Sequence, residues 1–355
     1  MRGFAIILIV KNTGETQLMK KTGRYEACDG RFDSPAQARG FEASDALRAQ
    51  LAVLYHKYVS IKCRKRGNLM TRIFTDTCAN LPLELVQKYK LTVLPFSYTV
   101  GDQEFTPEDS VEFDGKAFYD AMRSGADVKT AMIPLGTFMD GFRAALEAGD
   151  DVLYIGMSGG VSGTNQAAML AANELTEDFP KQQIAVIDTY AASLGEGLLV
   201  LEAAKLLEEG VALREIVKTI AKNRNTMCQY FTVDDLEYLK RGGRISRVAS
   251  VVGTVFKIKP LLTGNSEGKI ILCGKCRGRK QSLLTLAERY DELVADRSGT
   301  VGIAHADAPE DAAFLEDELR KRGFTGECVT VYYEPVTGAH VGPGTVALFY
   351  PGTHK

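Results

Sequence analysis

Short apolar runs alternate with amphipathic segments over the part of the chain that begins at residue 71. Such runs, bounded by charged or turn-forming residues, have the length of buried strands. The segment 135–148 places Phe138, Phe142 and Ala145 on one stripe, which predicts a helix with one face in a core. Strands are predicted at 72–75, 91–100, 152–157 and 184–187, and further helices from about 82, at 114–123, from about 164 and at 193–209. This alternation predicts an α/β domain over 71–225, with a mainly parallel sheet and helices on both faces.

The pattern changes after about residue 225, where hairpin strands are mixed with helices. The predicted elements are a strand at 227–233, a helical turn at 235–240, a hairpin at 260–273, helices at 280–296 and 309–322, and strands at 300–306, 329–333 and 346–350. Hairpins mixed with helices are typical of an α+β domain. A chain of 355 residues is long enough for two domains, so we assign 226–355 to the second one.

The first 70 residues differ from the rest in charge, with 13 Lys or Arg against 6 Asp or Glu. A hairpin over 4–20, a helix that begins at Ser34 and Pro35, and a strand at 58–63 predict a small ββαβ module there. We therefore expect residues 1–70 to form a basic N-terminal extension, whose function the sequence does not indicate. Its basic end is interpreted as a solvated linker, because no aromatic residues interleave with the charges.

Composition indicates a soluble globular protein, with 45% hydrophobic and 25% charged residues. The apolar run at 4–10 is too short to span a membrane. Seven scattered cysteines do not form a disulfide pattern, so a cytoplasmic location is expected. Cys273 and Cys276 form a lone C-x-x-C pair, which we interpret as incidental because a structural zinc site needs four ligands. No metal or cofactor is expected.

The segment 151–175 contains the leading candidate site, because an apolar strand runs into a glycine-rich turn and then a helix. Glycines let a ligand approach the backbone, and the free N–H groups at the start of a helix favour an anion. The hydroxyls of Ser158 and Ser162 stand in the same turn. The spacing fits neither G-x-G-x-x-G nor the Walker pattern, so the turn predicts an anion site without specifying a nucleotide.

Polar residues also follow two other predicted strands of the first domain. Asp76 and Thr77 follow the first strand, and Asp188 follows the strand at 184–187. Ligands of open α/β sheets bind beyond the carboxyl ends of the strands. Together with Ser158, these residues are secondary candidates for one shared crevice.

Three alternatives to anion binding by this loop remain at this point. The main alternative is a serine esterase that uses Ser158, Asp307 and His340, because residues 156–160 (Gly-Met-Ser-Gly-Gly) match the pattern G-x-S-x-G. Against it, the helix is predicted to begin after Ser162 rather than directly behind Ser158. A tight turn that binds nothing is the second. An independent kinase is the third, and it lacks a Walker loop or an acidic metal cluster.

Seven short motifs occur in order over residues 71–355: Thr75-Asp76-Thr77, Val128-Lys129-Thr130, 158–164, Ile187-Asp188-Thr189, 239–246, Lys257-Ile258-Lys259-Pro260 and 335–340. In these motifs the chain resembles the DegV-like fatty-acid-binding proteins. The resemblance implies two domains that close over one long-chain fatty acid in a buried apolar tunnel. It also implies a non-catalytic lipid carrier of a bacterial fatty acid kinase, whose separate ATP-dependent subunit converts the carboxylate to an acyl phosphate.

The resemblance also implies which residues meet the ligand. The carboxylate would be held by Thr130, Ser162, Gly163 and Thr164, and the headgroup or kinase-facing residues would be Arg244, His340 and Arg277. The sequence departs from the family pattern after Thr130, which is followed by Ala-Met-Ile-Pro instead of Ser-Gln-Pro. The resemblance is compatible with a transient membrane contact. No nucleic-acid partner is expected.

Overall fold

A computed structural model describes residues 7–10, 16–18, 70–107, 113–245 and 258–354. The helix and the last strand predicted within 1–70 lie outside these residues. The strands are β1 Ile7–Val10, β2 Thr16–Leu18, β3 Thr71–Asp76, β4 Thr92–Leu94, β5 Ser97–Val100, β6 Gln103–Phe105, β7 Val128–Ala131, β8 Asp151–Gly156, β9 Ile184–Asp188, β10 Met227–Thr232, β11 Ile258–Gly264, β12 Ile270–Arg277, β13 Val301–His305, β14 Cys328–Tyr332 and β15 Val346–Pro351. The helices are α1 Leu83–Lys88, α2 Gly115–Arg123, α3 Leu135–Glu147, α4 Thr164–Asp178, α5 Leu194–Glu208, α6 Leu213–Asn223, α7 Glu237–Arg241, α8 Arg279–Leu293, α9 Pro309–Lys321 and α10 Pro335–Val341.

The first sheet has the strand order β2-β1-β9-β8-β3-β4, and all its pairings are parallel except β1–β2. Helices α3 and α4 pack on one face through an aromatic core around Phe138, Phe142 and Tyr154. Helices α5 and α6 contribute to the core on the other face. The predicted parallel sheet with helices on both faces is therefore confirmed.

Two strands at one edge of this sheet come from the start of the chain. Strand β1 pairs in parallel with β9, and β2 returns antiparallel to β1, as predicted for a hairpin. The assignment of residues 1–70 to a single extension stays a prediction. No helix within the described ranges is both long and apolar enough to cross a bilayer.

The prediction of one strand over 91–100 is wrong. The strand ends before Pro95, and β5 then enters a separate antiparallel sheet of order β6-β5-β7. Proline has no N–H for a strand ladder, which explains the break. This small sheet matters for the site because β7 carries Thr130.

The second sheet has the order β12-β11-β10-β15-β13-β14 and is antiparallel except for β13–β14. Helices α8 and α9 cover one face. Helix α5 packs against the other face, where Leu194 approaches Gly302 and Phe349 approaches Gly195. Because α5 packs against both sheets, it is buried on most of its surface and joins the two domains into one core.

Candidate functional site

A cavity lies between the two domains, beyond the carboxyl end of β8; we call it the central cavity. Its walls come from the loop after β8, from β7, from the second sheet and from α10. The residues that form its apolar part include Phe96, Met157, Val161, Phe231, Leu239, Ile270, Val336, Val341 and Phe349. Four of its polar lining residues are Thr130, Ser162, Arg244 and His340, which we call the head cluster. Ser158, Gln229 and Thr337 also line the cavity.

The second sheet forms one wall of the central cavity. Gln229 and Phe349 are paired residues of β10 and β15 on this wall. Gly264 leaves room for the Gln229 carboxamide, because a Cβ there would lie 2.2 Å from its Nε2. Gln229 Nε2 donates to the Tyr190 carbonyl at 2.7 Å, so this polar group is held in place. The wall is therefore apolar apart from one fixed carboxamide.

The backbone N–H groups of the glycine-rich loop mainly donate hydrogen bonds to acceptors within the protein. The N–H groups of residues 158–162 and of Thr164 all have acceptors within the loop or in the segment after β9. Ser162 Oγ accepts from Thr164 N at 3.3 Å and lies 2.9 Å from Thr164 Oγ1. The loop amides are thus largely used within the protein, contrary to the expected row of free N–H groups. Ser162 lines the cavity together with Met157, Ser158, Val161 and Gly163 of the same loop.

The glycines of this loop allow close packing against the β11–β12 hairpin turn. A Cβ on Gly160 would lie 2.5 Å from the Glu267 carbonyl oxygen. Ser158 is buried, donates to the Gly268 carbonyl at 2.9 Å and accepts from Gly160 N at 3.0 Å. The expectation that these glycines admit a ligand is therefore wrong for Gly160, which admits the hairpin turn of the second domain.

Thr130 and His340 meet at the end of the central cavity, although 210 residues separate them in the chain. Thr130 Oγ1 lies 2.9 Å from His340 Nε2. Burial, together with the nearby Arg244 guanidinium, lowers the pKa of His340 to about 4. The imidazole is consequently neutral at pH 7.

Arg244 reaches from the second domain to the loop of the first. Its Nε donates to the Val161 carbonyl at 3.1 Å, and Nη1 donates to the Gly242 carbonyl at 2.5 Å. Burial lowers the pKa of Arg244, and no carboxylate of the described residues forms an ion pair with it. A half-buried cation bonded only to neutral carbonyls favours an anion nearby.

Of the strand-end candidates of the first domain, Ser158 lines the central cavity, whereas Asp76, Thr77 and Asp188 support the loops and do not line it. Asp76 is fully buried and accepts from the Tyr154 hydroxyl at 2.6 Å and from Met157 N at 3.2 Å. Burial raises its pKa to about 6. Thr77 Oγ1 accepts from Phe96 N. The carboxylate of Asp188 accepts from Gly159 N and Tyr190 N, which holds two cavity-lining loops together.

Two further buried carboxyl groups were not predicted from the sequence. Glu334 accepts from Val336 N and Thr337 N, both at 2.6 Å, and so caps α10. Burial raises its pKa to about 7. Glu196 accepts from the Thr75 hydroxyl, and burial and the neighbouring Asp76 raise its pKa well above the usual range. We call Asp76, Glu196 and Glu334 the carboxyl cluster. The sequence feature that could have indicated Glu334 is its position directly before Pro335, because an acidic residue followed by proline fits the start of a helix.

Two of the expected ligand residues lie away from the cavity. Thr164 is fully buried behind Ser162 and is not a lining residue. Arg277 is exposed at the end of β12, where it pairs with Ile258, and it lines neither the central cavity nor its neighbour. Of the seven expected residues, Thr130, Ser162, Gly163, Arg244 and His340 are brought together.

The groups required for a serine esterase each have another partner. Ser158 donates to a backbone carbonyl, and His340 Nε2 bonds with Thr130. Asp307 accepts from Arg123 at 2.5 Å and from the Tyr332 hydroxyl at 3.3 Å. The geometry therefore lacks the serine–histidine–aspartate sequence of hydrogen bonds that a triad uses.

Comparison with known proteins agrees with this architecture. A sequence profile described as "uncharacterised protein, DegV family" matches residues 70–352. A DegV domain-containing protein of Clostridium perfringens is 36% identical over 284 residues, which are 80% of this chain and 98% of that protein. The chain belongs to the DegV family.

Solved DegV structures share the fold of this chain. A structure described as fatty acid binding of a DegV family protein from Thermus thermophilus has a TM-score of 0.71 and 30% identity, covering 79% of this chain and 99% of that one. DegV of Bacillus subtilis, described as a fatty acid binding protein, has a TM-score of 0.69 and 27% identity, with coverage of 79% and 99%.

Within the described ranges, no group of three or more His, Cys, Asp or Glu side chains could hold a metal ion. The Cys273 thiol donates to the Leu261 carbonyl, and burial raises its pKa to about 11. A thiol of that pKa is protonated at neutral pH and therefore a poor nucleophile or metal ligand.

Proposed function

We propose that this DegV chain binds one long-chain fatty acid in the central cavity, with the carboxylate at the head cluster. The observation that carries the proposal is the polarity of the cavity. Most of its lining residues are apolar, and its polar lining residues include Thr130, Ser162, His340 and Arg244. Solved relatives described as fatty-acid-binding proteins support the same ligand class.

The head cluster offers suitable donors for a carboxylate. The neutral His340 can donate from Nε2 to Thr130 Oγ1, which leaves the Thr130 hydroxyl hydrogen free for the ligand. In the same way, the Ser162 hydroxyl can accept from Thr164 and donate into the cavity. Two hydroxyl donors beside the Arg244 guanidinium supply charge-assisted hydrogen bonds, which a carboxylate removed from water requires.

We further propose that the chain is a carrier and presents the bound acid to an ATP-dependent kinase subunit in bacterial phospholipid metabolism. A carboxylate oxygen would attack the terminal phosphorus of ATP, forming a C–O–P linkage, while the bond to ADP breaks. The products are an acyl phosphate and ADP. Binding and orientation come from this chain, and the phosphoryl-transfer machinery comes from the partner.

The first test is to denature freshly purified protein, extract it with organic solvent and analyse the extract by mass spectrometry. We expect about one fatty acid per chain in the wild type and little in the Thr130→Val/Ser162→Ala double variant. Thr99→Val/Ser124→Ala is the matched control, because these residues lie outside the central cavity and lose the same groups. Folded wild-type protein without lipid would contradict the proposal.

The carrier role needs a second measurement. ATP and a fatty acid kinase subunit are added to the lipid-loaded protein, and ADP and acyl phosphate are quantified. We expect both products only when the loaded chain and the kinase are present together. Equal rates with free fatty acid alone would contradict the carrier role and leave lipid binding intact.

A further inference from the structure

Gln229 is a polar residue on the otherwise apolar wall that the second sheet contributes to the central cavity. It is only 9% exposed and lines the cavity. Its neighbours on this wall are Phe231, two positions further along β10, and Phe349, its paired residue on β15. Side chains two positions apart in a strand lie on the same face, so the carboxamide stands beside aromatic residues. Each end of a buried carboxamide requires a polar partner.

The orientation of the Gln229 carboxamide follows from its hydrogen bond with Tyr190. The Tyr190 carbonyl oxygen can only accept, so the amide nitrogen, 2.7 Å away, must face it and the amide oxygen must point elsewhere. No group of the described residues donates to that oxygen, Oε1. Oε1 is also not one of the fully enclosed polar atoms that lack a partner in this part of the chain. It is therefore an acceptor open to the cavity that Gln229 lines.

A donor for Gln229 Oε1 must come from the contents of the cavity. A water molecule needs about two to four polar partners, and the side chains of Phe231 and Phe349 on this wall offer none. A carboxylate only accepts hydrogen bonds and is repelled by another acceptor, so it is excluded here and belongs at the head cluster. A hydroxyl group on the acyl chain can donate, and its burial is then compensated by a hydrogen bond.

We propose that Gln229 Oε1 accepts a hydrogen bond from a hydroxyl group on the acyl chain, which makes a hydroxylated long-chain fatty acid the preferred ligand. This inference rests on the proposed function and adds Gln229 as a specificity-determining residue. The head cluster and Gln229 bind two polar groups of one ligand, so the distance between them selects the carbon that carries the hydroxyl. A hydroxyl on another carbon is buried without a partner and weakens binding.

The test titrates the delipidated protein with stearic acid and with hydroxystearic acids whose hydroxyl is moved along the chain. In the wild type, one position should bind about tenfold more tightly than the others. Gln229→Met keeps the length of the side chain and removes the acceptor, so all positions should then bind alike within about twofold, while stearic acid still binds. Phe231→Leu is the control, because it alters the same wall and keeps the carboxamide; the preference for one position should survive.

Gly264→Ala tests the same acceptor without removing it. The added methyl carbon would lie 2.2 Å from Gln229 Nε2, at the end of a flexible side chain, so the carboxamide must move. We expect the preferred position to change or the preference to shrink. The proposal is overturned when the wild type binds stearic acid but prefers no hydroxyl position, or when Gln229→Met keeps the preference. If Gln229→Met does not fold, an unchanged preference in Gly264→Ala overturns it. Wild-type protein that binds neither stearic acid nor any hydroxystearic acid contradicts the proposed function instead.

Discussion

Asp76, Glu196 and Glu334 are buried directly behind the wall of the central cavity, and no described cation pairs with them. Burial disfavours their charged forms, which raises the pKa of Asp76 from 3.8 to about 6 and that of Glu334 from 4.5 to about 7. Glu196 Oε2 has no hydrogen-bond donor in the described structure. A proton shared with the neighbouring Asp76 satisfies both carboxyl groups, so we expect the carboxyl cluster to hold protons near neutral pH.

These protons make the stability of the protein depend on pH. The folded state binds them more tightly than the unfolded state, so their contribution is complete below about pH 4. It is lost as the pH rises through about 6 and then about 7. The loss for Asp76 alone is roughly 3 kcal/mol. Urea unfolding at pH 5, 6.5 and 8 should therefore give a decreasing free energy of unfolding.

Glu196→Gln tests the origin of this dependence. A glutamine has the shape of the protonated glutamate and can donate to Asp76, so we expect a smaller pH slope. At pH 8 the free energy of unfolding should exceed that of the wild type by on the order of 1 kcal/mol. The exposed Glu208 on the same helix provides the control, and Glu208→Gln should leave the slope unchanged. Equal effects of both changes would mean that net charge, not the carboxyl cluster, sets the dependence.

Sequence patterns predicted single residues well only where a motif pointed to them. Ser162, Thr130 and His340 stand in recognisable motifs and meet at the head cluster. Glu196 and Glu334 lie 120 or more residues from Asp76 in the chain, and their partnership depends on tertiary packing. The apolar lining was also unpredictable, because a residue that faces a lipid has the same character as one that faces a core.

Among the elements, α10 has the closest link to the site because it carries His340. This helix was not predicted from the sequence. It has only seven residues, and Val336, Thr337 and Gly338 all disfavour a helix. The Glu334 cap and the neighbouring helix α2 stabilise it instead. Long α5 and most strands of the two six-stranded sheets were predicted, because their apolar patterns span enough residues to be distinctive.

The contact between α10 and α2 depends on Gly338. A Cβ at this position would lie 2.2 Å from the Tyr119 hydroxyl oxygen, so α10 or the buried Tyr119 side chain must move to admit a methyl group. We expect Gly338→Ala to lower the free energy of unfolding by about 1–3 kcal/mol and to weaken fatty acid binding by displacing His340. Urea unfolding and a palmitate titration measure the two effects.

Gly136→Ala is the control for this prediction. Gly136 lies in helix α3 with open space where its Cβ would be. The same substitution should there leave binding unchanged and stabilise the protein by up to about 1 kcal/mol. A Gly338→Ala protein as stable as Gly136→Ala would show that α10 adjusts without loss.

At the scale of the whole molecule, the central cavity lies between two domains that are joined by polar contacts. The Tyr119 hydroxyl donates to the Tyr333 carbonyl at 2.8 Å, and Asn80 Nδ2 donates to the Tyr332 carbonyl at 2.9 Å. Ser158 and Arg244 bridge the domains on the side of the glycine-rich loop. If the proposed function holds and an acyl chain leaves by separation of the domains, the strength of these contacts should set the release rate.

Tyr119→Phe isolates one of these contacts, because it removes the hydroxyl and keeps the buried ring. Losing a hydrogen bond worth about 1 kcal/mol should accelerate lipid release roughly fivefold, measured by transfer of a fluorescent fatty acid to vesicles. Tyr350→Phe also removes a hydroxyl that donates to a backbone carbonyl, that of Arg289 at 2.7 Å, but within the second domain. Both variants should lose similar stability, and only Tyr119→Phe should release lipid faster. If release accelerates equally in both, exchange depends on general loosening of the structure, and the contacts between the domains do not control it.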